Sequence, residues 1–352
     1  MLTSESSSHA VAIALAGSWR KSPPSPEASA RDGATITPLL LKSGAGALGW
    51  WRFRRHSDEQ FLSAVQPLRE AYLQCAIHAD EHERELVEVF RVLRSSGVEP
   101  ILIKGWAIAR AYPESGLRPP GDIDLCVSPE QRDNARAVVN TLVNQRHWVD
   151  LDHDEVTRFS ELSFEQLYRR SELVNLHGTD IRVLAAEDHL RILCLHLLKH
   201  GGWRPLWLCD VAVALESRVS DFDWDRCFGR NKRWADWIAC TIGLANRLLG
   251  AEVGDAPVKD RANSLPGWLV SSVLKQWSVP HPLNLPKLST QIKASWWKPT
   301  ILSAVRQRWP NPIQATVDAN GRFDNTTRLP FQLSNCLART VKLCLRLRAS
   351  PR

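Results

Sequence analysis

The hydrophobic positions of the chain change their period along the sequence, and this change predicts which segments are helices and which are strands. From Glu59 to about Ser96, apolar residues recur every three or four positions, which is typical of amphipathic helices. Short apolar or alternating runs at 100–103, 122–127 and 173–177 predict strands, and 181–184 is a candidate partner for the last of them. Residues 148–170 have no clear period.

Helices are predicted between and after these strands. Trp106–Tyr112 fits a short helix, and Ser128 is a suitable N-cap for a helix that runs to about Gln145. After Ala185 the period is helical almost throughout. The predicted helices are 186–200, 206–217, 223–230, 234–249, 262–278, 291–308 and 332–348.

This order of elements predicts an α+β fold with four parts. Residues 1–45 are rich in Ser, Ala, Pro and Gly, and we expect a flexible leader there. A small α/β core with N-terminal helices is expected over 46–184. A helical bundle follows over 185–281, and 282–352 form a helical C-terminal region.

Composition excludes several classes of protein. The chain has 352 residues, of which 44% are hydrophobic and 24% charged, and this excludes collagen-like, mucin-like or wholly disordered chains. The longest apolar run near the start, 10–17, is too short for a membrane span and poorly flanked for a signal peptide. We therefore expect no transmembrane segment and a cytoplasmic location. Eight scattered cysteines without a C-x-x-C pair argue against a disulfide scaffold or a cysteine zinc site.

The net charge of +7 is concentrated at the C-terminal end. Residues 282–352 contain 12 Lys and Arg but only 2 Asp and Glu, whereas the rest of the chain is slightly acidic. Such a region can bind an acidic protein, a peptide or nucleic acid, or can form a solvated helix face.

Candidate chemistry is concentrated where the strand 122–127 begins. Asp122 and Asp124 alternate on that strand and so point to one face, where a divalent cation would offset their repulsion. Lys104-Gly105 lies at a strand-to-helix turn, where a glycine lets the backbone approach a phosphate. Arg118, on the preceding loop, can neutralise a leaving pyrophosphate. An Asp-x-Asp pair by itself is common and indicates little.

Two blocks together resemble a known family. Ile103-Lys104-Gly105, Tyr112-Pro113, Arg118 and Gly121-Asp122-Ile123-Asp124-Leu125 resemble the signature of an uncharacterised nucleotidyltransferase family within the DNA polymerase β-like superfamily. A second block, with His196, His200, Trp203 and a Trp-Leu-Cys-Asp-Val-Ala stretch ending at Ala212, is similar to a later motif of that family. The resemblance covers about residues 60–250.

The resemblance implies a polymerase-β-like core and transfer of a nucleoside monophosphate from a Mg²⁺–NTP, with ATP the expected donor. Asp122 and Asp124 would hold Mg²⁺, while Lys104, Gly105 and Arg118 would bind the phosphates. The acceptor would be a small molecule or a peptide of unknown identity.

The chain departs from the family's pattern at the third acidic position. The superfamily places a third carboxylate on a later strand, whereas this chain has Asn175-Leu176-His177 there. An amide cannot take a proton at neutral pH, so His177 or another acid must serve as base, or turnover is weak or absent.

Other residues leave more than one interpretation open. His196 and His200 share a helix face, which fits a polar patch facing the nucleotide, a pair of structural histidines or a zinc site. Most of the 15 tryptophans suit a helical core, and one could stack on a base.

Two further functions compete with catalysis. Asn175 favours a non-catalytic nucleotide- or peptide-binding accessory protein on the same fold. The basic C-terminal region favours a nucleic-acid-binding protein.

Overall fold

The fold was analysed in a computed structural model of the chain. It describes residues 4–24, 27–144, 148–151, 156, 159, 161–278 and 309–349. The α+β class predicted from the sequence is confirmed, because a five-stranded mixed sheet is combined with many helices.

The prediction of a flexible leader over residues 1–45 is wrong. Helices α1 (Ser4–Leu15) and α2 (Ala30–Lys42) form there, and Leu15 and Leu40 are completely buried. A capping box between Ser29 and Asp32 starts α2 by satisfying amides that the first helical turn leaves open. The apolar residues of this segment pack in the main hydrophobic core. The small residues that suggested disorder allow its helices to pack closely there.

Helices α3 (Gly46–Phe53), α4 (Glu59–Ala64) and α5 (Gln66–Ser95) follow. The helical period over 59–96 is thus confirmed, with a break at Val65. The long α5 has an exposed polar side and buries its C-terminal half against the sheet through Leu86, Phe90 and Leu93.

Five short strands form one sheet. They are β1 (Ile101–Leu102), β2 (Ile123–Cys126), β3 (Val149–Leu151), β4 (Glu172–Leu176) and β5 (Thr179–Val183). Their order is β3-β2-β1-β5-β4. Strand β1 is antiparallel to β2 and parallel to β5, β2 is parallel to β3, and β4 and β5 form a hairpin.

The sheet connections contain α6 (Trp106–Ala109), a 3₁₀ turn at Pro129–Gln131, α7 (Arg132–Asn144) and α8 (Phe164–Arg170). Ser128 accepts a hydrogen bond from the amide of Gln131, as its predicted role of N-cap requires. Strand β3 and helix α8 occupy the stretch whose period was unclear.

The remainder is helical. The elements are α9 (Ala186–Lys199), α10 (Pro205–Glu216), α11 (Trp224–Phe228), α12 (Lys232–Leu249), α13 (Lys259–Asn263), α14 (Gly267–Trp277), α15 (Pro312–Asp318) and α16 (Leu329–Ala349). The single helix predicted over 262–278 is divided before Pro266, since proline disfavours the helical conformation in the residue before it. The helix predicted over 291–308 lies outside the described residues.

The two faces of the sheet pack against different layers. Leu102, Ile123 and Leu125 join α5 and α7 in one apolar cluster. Ile101 and Cys126 join the helical region in another cluster, on the opposite face. Because side chains alternate along a strand, Asp124 shares the face of Cys126 and points toward the helical region.

Two sequence-based exclusions bear on the described part of the chain. None of its helices is long and apolar enough to cross a membrane. The cysteines whose side chains are described, at positions 75, 126, 194, 209, 227, 240 and 336, are all free thiols.

Candidate functional site

The turn between β1 and α6 has a backbone conformation that requires glycine. Gly105 has φ +67° and ψ −117°, a combination that side chains on an L residue disfavour strongly. A Cβ atom there would lie 3.4 Å from the carbonyl oxygen of Asp122, so the turn runs directly beside the start of β2. The fold therefore brings Lys104-Gly105 to the two aspartates, as the sequence predicts.

The two aspartates of β2 differ in their surroundings. Asp122 is exposed just before the strand, whereas the Asp124 side chain is only 18% exposed. Burial raises the pKa of Asp124 above its ordinary value, and nearby Lys104 and His196 act in the opposite direction. One carboxylate is thus open to a ligand while the other is held within the protein.

Lys104 links the turn to the helical region. Its Nζ lies 3.3 Å from Oδ1 of Asp124 and 3.5 Å from Nδ1 of His196 on α9. The lysine is 7% exposed, so this ammonium is a fixed cation and not a mobile surface charge. The geometry joins three of the predicted site residues directly.

His196 and His200 lie together, as their spacing predicts. Their rings are 4.5 Å apart, and the indole of Trp207 is 4.6 Å from the first and 5.2 Å from the second. Trp203 packs edge-on against Trp207. This histidine–tryptophan cluster, consisting of these four residues, is half-buried beside Lys104 and presents aromatic surface at the site.

Arg118 is held in a buried network. Its Nε lies 3.0 Å from Oδ1 of Asp210 on α10, and the same oxygen accepts a hydrogen bond of 2.8 Å from the hydroxyl of Tyr112. Burial disfavours the guanidinium charge, but the pKa of Arg118 is nonetheless raised by Asp210. A guanidinium has five donors, so Arg118 can be anchored through Nε and still bind a phosphate.

Asp210 lies at the centre of this buried network. Its carboxylate contacts Tyr112 and Arg118 and is fully buried. It therefore connects the two sequence blocks, since one contains Arg118 and the other Asp210.

His177 lies at a different place from the residues above. It occupies the turn between β4 and β5 with φ +48°, and its Nε2 is 3.1 Å from Oε2 of Glu83. Oε1 of Glu83 accepts a hydrogen bond from the indole of Trp106, the residue after Gly105. Asn175 pairs with Asp180, its partner across the hairpin. His177 is thus linked through Glu83 to the residue that follows Gly105.

One candidate residue was missed by the sequence reasoning. Asp150 on β3 is the direct partner of Asp124 in the parallel pair of β2 and β3, so both side chains lie on the same face. Its negative charge also contributes to raising the pKa of Asp124. Val149-Asp150-Leu151 does alternate, but three residues are too few to identify a strand without its neighbours.

The donor set fits a magnesium ion that also binds substrate. Within the described residues, no group of three or more His, Cys, Asp and Glu side chains could hold a metal ion. Asp122 and Asp124 supply two carboxylates, and Mg²⁺ is commonly bound by one or two carboxylates together with substrate phosphates. A zinc site at His196 and His200 has no third ligand among these residues.

Comparison with known proteins bears on the same part of the chain. Searches of curated proteins and of solved structures found no match. A family model described as an uncharacterised nucleotidyltransferase matches residues 34–158 and 142–250. These segments contain the Gly105 turn, both aspartates of β2, Arg118, the histidine–tryptophan cluster and Asp210, and they cover more than half of the chain. The chain therefore belongs to this family of nucleotidyltransferases.

Proposed function

We propose that the protein transfers a nucleoside monophosphate from a magnesium-bound NTP, with ATP the expected donor, to an acceptor hydroxyl. The observation that carries this proposal is the ion pair between Lys104 and Asp124, whose Nζ and Oδ1 atoms are 3.3 Å apart beside the Gly105 turn. A fixed cation, a glycine turn and two carboxylates at the start of one strand form a site suited to a metal-bound triphosphate.

Each residue of the site would have its own role in binding the metal-bound nucleotide. Asp122 and Asp124 would hold Mg²⁺, which neutralises charge on the triphosphate when bound. Lys104, the Gly105 backbone and Arg118 would orient the phosphates. His196 and His200, with Trp207, would face the nucleotide, since rings of this kind suit stacking on a base.

The transfer itself forms one bond and breaks one. The acceptor oxygen bonds to the α-phosphorus, and the bond from that phosphorus to the bridging oxygen breaks as pyrophosphate leaves. The hydroxyl proton must pass to a base. We propose Asp150 for this role because it is in register with Asp124, while His177 is the base that the sequence predicts.

Thermal unfolding with ATP, GTP, CTP and UTP, each with and without Mg²⁺, tests the proposal. We expect a rise in the unfolding midpoint that needs both the metal and one nucleotide. The double variant Asp122→Asn/Asp124→Asn should lose this rise. The control Asp221→Asn/Asp225→Asn removes the same charge at exposed positions outside the site and should keep it.

If no nucleotide changes the midpoint of the wild-type protein at millimolar concentration, nucleotidyl transfer is the wrong proposal. If nucleotide binds but neither transfer nor hydrolysis follows, the protein is the non-catalytic accessory protein that Asn175 favours.

A second proposal concerns α16. Leu333, Leu337 and Val341 recur every four residues and are 52%, 67% and 49% exposed, and Arg339 lies on the same helix. This exposed, basic and amphipathic helix supports docking of an acidic protein, a peptide or nucleic acid.

The structure constrains how this second proposal can be tested. Ile313, Val317 and Phe323 are buried in the main core, so a truncation after residue 281 would disrupt folding. A chain ending at Val341 removes four basic residues and leaves that core intact. If nucleic acid binds this helix, the shorter chain should bind oligonucleotides with a smaller dependence on salt.

A further inference from the structure

A cavity of about 340 Å³ lies between α5 and the loop that leads to β2. The loop packs closely on the helix, because a Cβ on Gly116, which has φ +83°, would lie 2.5 Å from Cα of Ala76. The cavity is therefore bordered by a helix on one side and by the backbone of this loop on the other. Its volume is at the lower end of the range found for small-molecule sites.

The walls of this cavity continue to the residues proposed to bind the triphosphate. Trp106, which follows Gly105, lines it, and so do Arg118 and Pro120 on the loop just before Asp122. Burial and Arg118 lower the pKa of His82 in its wall, although the carboxylates of Glu83 and Asp122 act in the opposite direction. A molecule in the cavity would thus lie next to the residues proposed to hold the triphosphate.

The charges of the cavity distinguish its ligand from the nucleotide. Glu83 and Glu114 contribute two carboxylates to its lining, and Arg110 and Arg118 contribute two guanidiniums. Because Arg118 is also paired with Asp210, the lining has no excess of positive charge. A polyanionic triphosphate is therefore favoured less here than at the other end of the site, where Lys104 lies.

Glu83 is held in one orientation before any ligand arrives. Its Oε1 accepts a hydrogen bond of 2.9 Å from the Trp106 indole, and its Oε2 lies 3.1 Å from Nε2 of His177. A carboxylate has about four acceptor sites, so both oxygens can accept further hydrogen bonds. A fixed carboxylate in a half-buried wall is well suited to bind an ammonium group.

We propose that this cavity is the acceptor subsite and that it takes a small amino polyol about one sugar ring in size. The ammonium group of the acceptor binds Glu83, and one of its hydroxyls faces the α-phosphate. This inference rests on the proposed nucleotidyl transfer and adds the class of acceptor to it.

A matched set of three probes tests the charge preference. Glucosamine, glucose and glucuronate have the same ring and differ chiefly in charge. Their binding is measured by calorimetry on the full chain with Mg²⁺ and α,β-methylene-ATP, an analogue that cannot release pyrophosphate. We expect glucosamine to bind about tenfold more tightly than glucuronate, the difference of one charged hydrogen bond.

Two variants locate the binding. Glu83→Gln preserves the shape of the side chain and an acceptor for the Trp106 indole, and it should weaken glucosamine binding about tenfold with little change for glucose. Ala79→Trp should fill the cavity and abolish binding of all three probes, while magnesium-dependent stabilisation by the nucleotide analogue remains. The control Ile77→Trp lies on the same helix at a position that is 63% exposed, and it should behave as the wild type.

Three results would overturn the assignment. Glucuronate could bind as tightly as glucosamine, none of the probes could bind at tens of millimolar, or Ala79→Trp could abolish nucleotide binding while remaining folded. The last result would mean that the cavity holds the nucleotide. These three results differ from a failure of the proposed function. In that case the nucleotide analogue itself would not bind the wild-type protein.

Discussion

Arg118 and Asp210 form a buried ion pair that connects the loop before β2 to helix α10. Nε of Arg118 lies 3.0 Å from Oδ1 of Asp210. The arginine side chain is 9% exposed and the aspartate is fully buried. Because Arg118 lies a few residues before Asp122, the pair sets the distance between the carboxylates of β2 and the helical region. This contact joins the two sequence blocks that resemble the family's motifs.

We predict that Asp210→Asn destabilises the protein by about 3–5 kcal/mol, because it leaves the buried charge of Arg118 without a counterion. Urea unfolding measures the change. The exposed pair of Asp80 and Arg84, one helical turn apart on α5, provides the control. Asp80→Asn should cost only about 0.3–0.5 kcal/mol, and equal losses for the two variants would contradict the role given to Asp210.

Gly105→Ala should destabilise the protein by about 1–2 kcal/mol, since an alanine at φ +67° is strained. We also expect the nucleotide-dependent rise in unfolding midpoint to become smaller, because the turn must shift. The matched control is Gly121→Ala, next to Asp122, where no heavy atom lies within 4 Å of the added Cβ and φ is not positive. The strain argument fails if both variants have the same stability.

The pH dependence of stability should contain a contribution from Asp188. Burial raises the pKa of this carboxyl from 3.8 to about 6, against the opposing charge of Arg170 at 3.2 Å. Between these pH values the Asp188 carboxyl is ionised in the unfolded state but largely protonated in the folded state. The folded state therefore binds more protons, and the free energy of unfolding falls as the pH rises.

The wild-type protein should therefore lose about 3 kcal/mol more than Asp188→Asn as the pH rises from about 3 to about 7. Well below pH 3.8 the carboxyl is protonated in both states, and the two stability curves should run parallel. Denaturant unfolding at a series of pH values measures the difference. A wild-type curve parallel to that of the variant across the whole range would refute the shift.

Asp150 and His177 are predicted to respond differently to substitution if Asp150 is the base. Asp150→Asn should lower the rate of pyrophosphate release about 100-fold while leaving magnesium-dependent ATP binding intact. His177→Ala should have an effect of less than about tenfold, because the imidazole contacts Glu83, which in turn contacts the residue after Gly105. The reverse order of effects would restore His177 as the base.

Local sequence was enough to predict the elements that carry the chemistry. The periodicity located α5, the short strands β1 and β2, the β4–β5 hairpin and most of the described helices after Ala185, because their apolar spacing matches their geometry. The short helix α15 was not predicted. The glycine before α6 and the alternation of Asp122 and Asp124 also follow from local backbone rules. Segments of two or three residues, and apolar residues within a Ser- and Ala-rich stretch, carry too little local information. For this reason β3 and the N-terminal helices were missed.

The sequence by itself determined the α+β class, the Lys104-Gly105 turn and the two carboxylates of β2, since each depends on neighbouring residues. Only the tertiary structure decided that Arg118 pairs with Asp210, that Asp150 stands beside Asp124 and that Glu83 holds His177 and Trp106. These contacts join residues between 23 and 94 positions apart in the chain. Partners at such separations are selected by strand register and by the packing of helices on the sheet, and neither is encoded in any local pattern.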